Sequence, residues 1–108
     1  MVKVILWALM SLLIVACATN QPERTVEQYR QACARGQAWA CSVLGAHYER
    51  GDGVERNDRR AVALFRRSCE GGAPVGCSNL GYMYLRGRGV RQDDQKAVEY
   101  GQVLHSRL

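Results

Sequence analysis

Leu44–Ala61 reads LGAHYERGDGVERNDRRA, and Leu80–Ala97, displaced by 36 positions, reads LGYMYLRGRGVRQDDQKA. The same offset lays Cys33–Ser68 over Cys69–Leu104 with 14 of 36 positions identical. The identities fall on informative residues, among them Cys33/Cys69, Gly36/Gly72, Cys41/Cys77, Leu44/Leu80, Gly45/Gly81, Tyr48/Tyr84, Gly53/Gly89 and Asp58/Asp94. Val26 and Cys33 stand 36 residues before Val62 and Cys69, so the segment ahead of the first full unit reads as the second half of another. A fixed period of this length marks an array whose units bury their apolar faces against one another.

The periodicity inside a unit says what each one is. Cys41, Leu44, Gly45 and Tyr48 fall at i, i+3, i+4 and i+7, one face of a helix over Ala38–Arg50. Gly51-Asp52-Gly53 stops that helix, and Asn57 offers an N-cap to a second. There Ala61, Val62, Phe65 and Cys69 share one face, and Arg59, Arg60, Arg66 and Arg67 occupy the other. The next unit follows suit, with Pro74 in a first helical turn, a helix to Arg86, Gly87-Arg88-Gly89, an Asp93 cap and a helix to about Ser106. Each unit is thus an αα-hairpin. Gly45 and Gly81 cost about 1 kcal/mol each inside a helix relative to Ala. A cost repeated at one register points to close approach by the partner helix.

The pattern Leu-Gly-x-x-Tyr-x-x-Gly-x-Gly-Val-x-x-x-Asp-x-x-Ala, present at Leu44–Ala61 and Leu80–Ala97, resembles the Sel-one-like repeat, a relative of the tetratricopeptide repeat. The resemblance spans residues 23–106, and the added cysteines place it with the secreted, cysteine-rich branch. It implies an all-α, right-handed superhelical αα-hairpin solenoid of about two and a half repeats and five helices, disulfide-stapled. The expected divisions are an N-terminal half repeat over 23–36, repeat one over 37–72 and repeat two over 73–108.

Cys33/Cys41 and Cys69/Cys77 each enclose seven residues. Within one helix, eight steps separate Cα atoms by about 12 Å, against the roughly 4.4–6.8 Å of a disulfide. Bonding therefore requires a reversal, which Gly36 and Gly71-Gly72 supply. Cys33–Cys41 and Cys69–Cys77 would each tie one unit's second helix to the next unit's first. The third position in register is His105, after which no helix needs tying. Four cysteines allow three pairings, but Cys33–Cys69 would link equivalent points a full repeat apart. A four-cysteine zinc site is the competing reading; it lacks the close Cys-x-x-Cys pairs of structural zinc sites. No metal or cofactor is expected. A loop of about nine residues removes roughly 2.5 kcal/mol of unfolded-state entropy, a large contribution in an array this short.

The fifth cysteine has another context. Met1-Val2-Lys3 gives a basic start and Val4–Val15 an apolar run of 12 residues, short of the roughly 20 that span a bilayer. This is the pattern of a secretory signal over 1–16. Ile14-Val15-Ala16-Cys17 resembles the lipobox of bacterial lipoproteins, which implies cleavage before Cys17 and acylation there, with residues 17–22 as tether. The alternative is a plain signal cut after Ala16 or Ala18, with Cys17 incidental. Ala18 stands where an inner-membrane retention signal would place Asp. That favours an exported chain held by lipid at the outer membrane, facing the periplasm or the cell surface.

The net charge of +5 comes almost entirely from arginine and is too small to require nucleic acid. One Phe, two Pro and the lack of alternating β-branched runs argue against a β-sandwich. No catalytic constellation stands out. His47 has Met83 as its register partner, Ser42 and Ser78 repeat as packing residues do, and neither serine has a Ser-x-x-Lys or Gly-x-Ser-x-Gly setting. Some cysteine-rich members of the resembled family bind penicillins or hydrolyse β-lactams weakly; no residue here carries that over, and it stands as the alternative to a scaffold without catalysis.

In tetratricopeptide-like stacks the first helices line the concave face. Here their surface carries Trp39, Val43, Ala46, His47 and Arg50, then Val75, Asn79, Tyr82, Met83 and Arg86. Trp, Tyr, Met and Arg are enriched where proteins bind proteins, so the expected partner is a protein or peptide. The arginine face of the second helix reads as solvated, although nearby anionic lipid could use it. Leu104 and Leu108 would be exposed at the open end if the chain forms a homo-oligomer.

Overall fold

The computed structural model describes residues 25–106. They form five helices: α1 (Val26–Ala34), α2 (Ala38–Arg50), α3 (Asp58–Glu70), α4 (Pro74–Arg86) and α5 (Asp94–Ser106). The signal expected over 1–16, Cys17, the tether and Leu108 lie outside the described residues, as do the side chains of Leu104 and His105.

Local chemistry fixes where each helix begins. Thr25 and Gln28 form a reciprocal capping box at α1, the Thr25 N–H donating to Gln28 Oε1 at 2.9 Å. Asn57 Oδ1 accepts the Arg60 N–H at 3.0 Å, and Asp93 Oδ1 accepts that of Lys96 at 3.0 Å, where a side-chain acceptor satisfies an orphan donor. Pro74 opens α4, where its missing N–H costs nothing. Between units the chain reverses through Gly36 and Gly72, at φ +91° and +95°. Side chains are disfavoured there, and glycine is not.

The helices stack as α2 on α3 and α4 on α5 within units, and as α1 on α2 and α3 on α4 between them. Among the described residues α2 also touches α4, whereas α1, α3 and α5 do not touch one another. The first helices therefore lie on the inner, closer-spaced side of the array. Phe65, Leu80 and Met83 are fully buried at its centre, with Leu44, Tyr48, Ala61, Val62 and Tyr84 around them. Replacing such an aromatic by Ala costs about 3–5 kcal/mol. A Cβ on Gly45 would fall 2.7 Å from a Phe65 ring carbon, and one on Gly81 would fall 3.0 Å from the Ala97 carbonyl oxygen. Both glycines thus let a partner helix close in. Phe65 has Gly101 as its register mate, and there Tyr100 stacks on Tyr84 instead, at 5.7 Å between ring centroids.

Cys33 is bridged to Cys41 and Cys69 to Cys77, with Cα atoms 4.6 and 4.5 Å apart. Each bridge joins a second helix to the first helix of the following unit. Val98, in register with buried Val62, is 57% exposed at the last described unit.

Candidate functional site

The inner face is built by α2 and α4. Trp39 and Tyr82 stand on it 42% and 43% exposed, with Val75, Arg50 and Arg86 also open to solvent. The Arg86 guanidinium lies over the Tyr82 ring, 5.8 Å from its centroid. At the N-terminal end, Tyr29 of α1 meets Trp39 edge-on at 6.2 Å and His47 at 5.6 Å. His47 Nδ1 lies 2.9 Å from the Asp52 carbonyl oxygen, and beside it opens a cleft of about 510 Å³ lined by Val26, Glu27, Arg30, Asp52 and Val54.

Several residues expected on this surface have other places. Met83 is a core residue, 0% exposed. Its register mate His47 faces Tyr29 of α1, whereas Met83 lies in the same buried core as Phe65 of α3, the register mate of Tyr29. Among the described residues α2, which carries position 47, has the short α1 beside it on the N-terminal side, whereas α4, which carries position 83, has both α2 and α3 there. Sequence reasoning put both on one solvent face because it treated every unit alike. Asn79 is half-buried and donates to the Ser42 hydroxyl at 3.2 Å, joining α4 to α2. Val43 and His47 are half-buried, and Ala46 packs against the core. Tyr29, which sequence reasoning did not place, completes the aromatic group. Its register with Phe65 was the available signal.

The outer side repeats a different device. Tyr48 lies in the furrow between α1 and α3, and its hydroxyl accepts from Arg30 Nη2 at 3.2 Å while the Arg60 guanidinium covers its ring at 4.9 Å. Tyr84 lies likewise between α3 and α5, accepting from Arg66 Nη2 at 2.7 Å with the Lys96 ammonium over its ring at 5.3 Å. Hydrogen bonding to Tyr48, then to Glu27, raises the pKa of Arg30. Beside the tyrosines open two equivalent clefts of about 430 and 540 Å³, the first lined by Glu55, Arg56, Asn57 and Arg60 and the second by Arg91, Gln92, Asp93 and Lys96. The arginine face of α3 is thus partly ordered: Arg60 and Arg66 are held by tyrosines, while Arg59 and Arg67 extend freely into solvent.

Between the units, Arg88 reaches back to unit one. Its Nη2 and Nε donate to Asp58 at 3.1 and 3.3 Å, and its Nη1 donates to Glu49 Oε1 at 3.0 Å. The hydrogen bonds it donates to Asp58 raise the pKa of Arg88. Burial on its own would raise the Asp58 carboxyl, but hydrogen bonds from Arg56 and Arg88 outweigh it and hold that carboxyl below its ordinary range.

The sequence profile of the Sel1 repeat matches residues 40–72 and 74–102. The chain belongs to the Sel1 repeat family. Among solved structures it is similar to a Sel1 repeat protein from Oxalobacter formigenes, at 28% identity and a TM-score of 0.75, covering 77% of this chain and 63% of that one. It is also similar to cysteine rich protein B of Helicobacter pylori, at 27% identity and a TM-score of 0.72, covering 75% of this chain and 61% of that one. A third similar structure is a protective antigen of uropathogenic Escherichia coli strains, described as displaying an SLR fold. That match has 35% identity and a TM-score of 0.72, and covers 76% of this chain and 18% of the antigen. The chain therefore spans under two thirds of the length of each of these Sel1-like proteins. Comparison with curated proteins gives no significant match. As a Sel1 repeat protein with paired bridges and a cysteine-rich neighbour, the chain has the features of an exported protein. No described helix is long and apolar enough to cross a membrane.

Proposed function

We propose that this Sel1 repeat protein is a lipid-anchored scaffold in the periplasm or on the cell surface, acylated at Cys17, whose inner face captures a protein or peptide. The observation that carries the binding face is the pair Trp39 and Tyr82. They are two large aromatics left more than two-fifths exposed on adjacent inner helices, with Arg50 and Arg86 alongside. Burying such side chains against a partner removes apolar area from water, and amphipathic aromatics lose little rotamer freedom in doing so. Asn79, Val43 and His47 shape the wall behind them. Met83 belongs to the support beneath. The anchor is supported by the apolar run and the Ile14-Val15-Ala16-Cys17 junction. Family membership supports the scaffold role, since Sel1 repeat proteins generally bind proteins.

A photo-cross-linking residue at position 82, compared with one at the outer position Ala63, tests the face in intact cells. A discrete adduct from position 82 that is absent from position 63 and lost with Trp39→Ala supports the inner face. Equal labelling from both positions contradicts it. Mass spectrometry of the N-terminal peptide tests the anchor, which requires acyl chains on Cys17.

A further inference from the structure

The outer side of α3 carries more positive charge than its packing requires. Arg59, Arg60, Arg66 and Arg67 form two pairs seven residues apart, and no acidic residue lies between Arg59 and Cys69. The cations of the flanking helices, Arg30 and Lys96, are held at the same furrows by Tyr48 and Tyr84. Nearby acids are mostly engaged within the fold: Glu27 by Arg30, Asp58 by Arg56 and Arg88, and Glu99 by Gln95. Glu70 closes the end of the helix. Tyrosine contacts account for Arg60 and Arg66, and the negative helix C-terminus accounts for Arg67. Neither accounts for Arg59, an exposed cation in the first turn of α3, where the helix dipole disfavours positive charge.

We propose that this face docks on the anionic phosphate headgroups of the membrane that holds the chain, a use that rests on the acylation of Cys17 proposed above. Guanidinium forks match phosphate oxygens in charge and geometry. Those held by tyrosine are already ordered before contact, and the free Arg59 and Arg67 can reach outward. Cys17 is eight residues from Thr25. At most about 3.6 Å per residue keeps the start of α1 within about 30 Å of the anchor, so one side of the array must lie near the lipid. Docking the outer side leaves Trp39 and Tyr82 facing the compartment, free for a partner. Each arginine near such a surface strengthens attachment about fivefold, and salt weakens it.

The test uses the chain purified from the cell envelope and reconstituted in vesicles of phosphatidylcholine alone or with 30 mol% phosphatidylglycerol, a fraction set at roughly the charge that polybasic surfaces respond to. Flotation with the neutral vesicles reports the anchor. Phenylglyoxal modification of each arginine, read by mass spectrometry, reports docking in the same samples. The expected result is that modification of Arg59 and Arg67 drops about fivefold or more in the anionic vesicles and returns in high salt, while Arg50 and Arg86 react equally in both. Equal modification of Arg59 and Arg67 in the two vesicle types overturns the proposal. So does equal protection by a soluble polyphosphate, which would make the face a polyanion site and not a membrane one. A chain that fails to float with neutral vesicles refutes the anchor, and its arginine protection by anionic vesicles still decides the docking.

Discussion

The two joints of the array use one covalent device with different support. At the first, buried Ala40 and half-buried Ala32 join the core beside Cys33–Cys41, and Val26 lies against Gly53. At the second, α3 meets α4 through Ser68 and Gly76 beside Cys69–Cys77. A Cβ on Gly76 would lie 2.3 Å from Ser68 Oγ and 2.7 Å from the Cys69 nitrogen, so the backbones approach more closely there. The second joint also has the α2–α4 contact, the Asn79–Ser42 hydrogen bond and Arg88 between Glu49 and Asp58. The first has Asp52 in the register of Arg88, facing His47. Nine-residue α1 is too short to be helical alone and is held by its bridge together with the Tyr29 and Arg30 contacts to α2, whereas the second joint adds closer backbone packing and the α2–α4 contact.

Among single changes at the joints, Gly76→Ala is expected to be the most damaging, about 3 kcal/mol in denaturant unfolding, because backbone and not only a side chain must move. Ala40→Gly at the equivalent position of the first joint should cost about 1 kcal/mol. Equal costs would mean that the joints are packed alike. Replacing either cysteine pair by Ala should cost about 2.5 kcal/mol, but hydrogen exchange should separate the pairs. Without Cys33–Cys41, α1 should exchange freely while α2–α5 stay protected. Without Cys69–Cys77, protection should fall together in all helices. Continued protection of α1 in the first variant would erase the distinction.

Arg88→Gln should cost about 1–2 kcal/mol at neutral pH, as expected for charge-assisted hydrogen bonds that are largely shielded from water. Because the folded Asp58 carboxyl titrates below its unfolded value of about 3.9, this contribution is full above about pH 4 and is lost as pH falls through the folded value. The stability gap between native chain and variant should therefore close on acidification. A gap that persists once the Asp58 carboxyl is protonated would mean that Arg88 acts by packing alone. The smallest change is Ser68→Ala. Its hydroxyl is fully buried with no partner among the described residues, so its removal should leave stability unchanged or slightly raised.

The hairpins were legible because the unit is written twice: Gly45/Gly81 mark the crossings, Asn57/Asp93 the caps and the cysteine pairs the reversals. Position along the array was not legible. Met83 and His47 share a register, as do Val62 and Val98, yet Met83 and Val62 are buried while His47 is half-buried and Val98 exposed. A repeat signal averages over units, while burial depends on which neighbours exist. The tyrosine-held cations were also hidden, because Arg30–Tyr48 and Arg66–Tyr84 are each 18 residues apart and meet only through stacking.

The central claim is that two sulfur–sulfur bonds keep neighbouring hairpins docked. It is tested most directly by comparing the thermal melt of the oxidised chain with that of the reduced, alkylated chain, followed by far-ultraviolet circular dichroism. Loss of both bridges removes about 5 kcal/mol, so the alkylated chain should lose its cooperative transition or melt at least about 20 °C lower. Superimposable melts would contradict the claim.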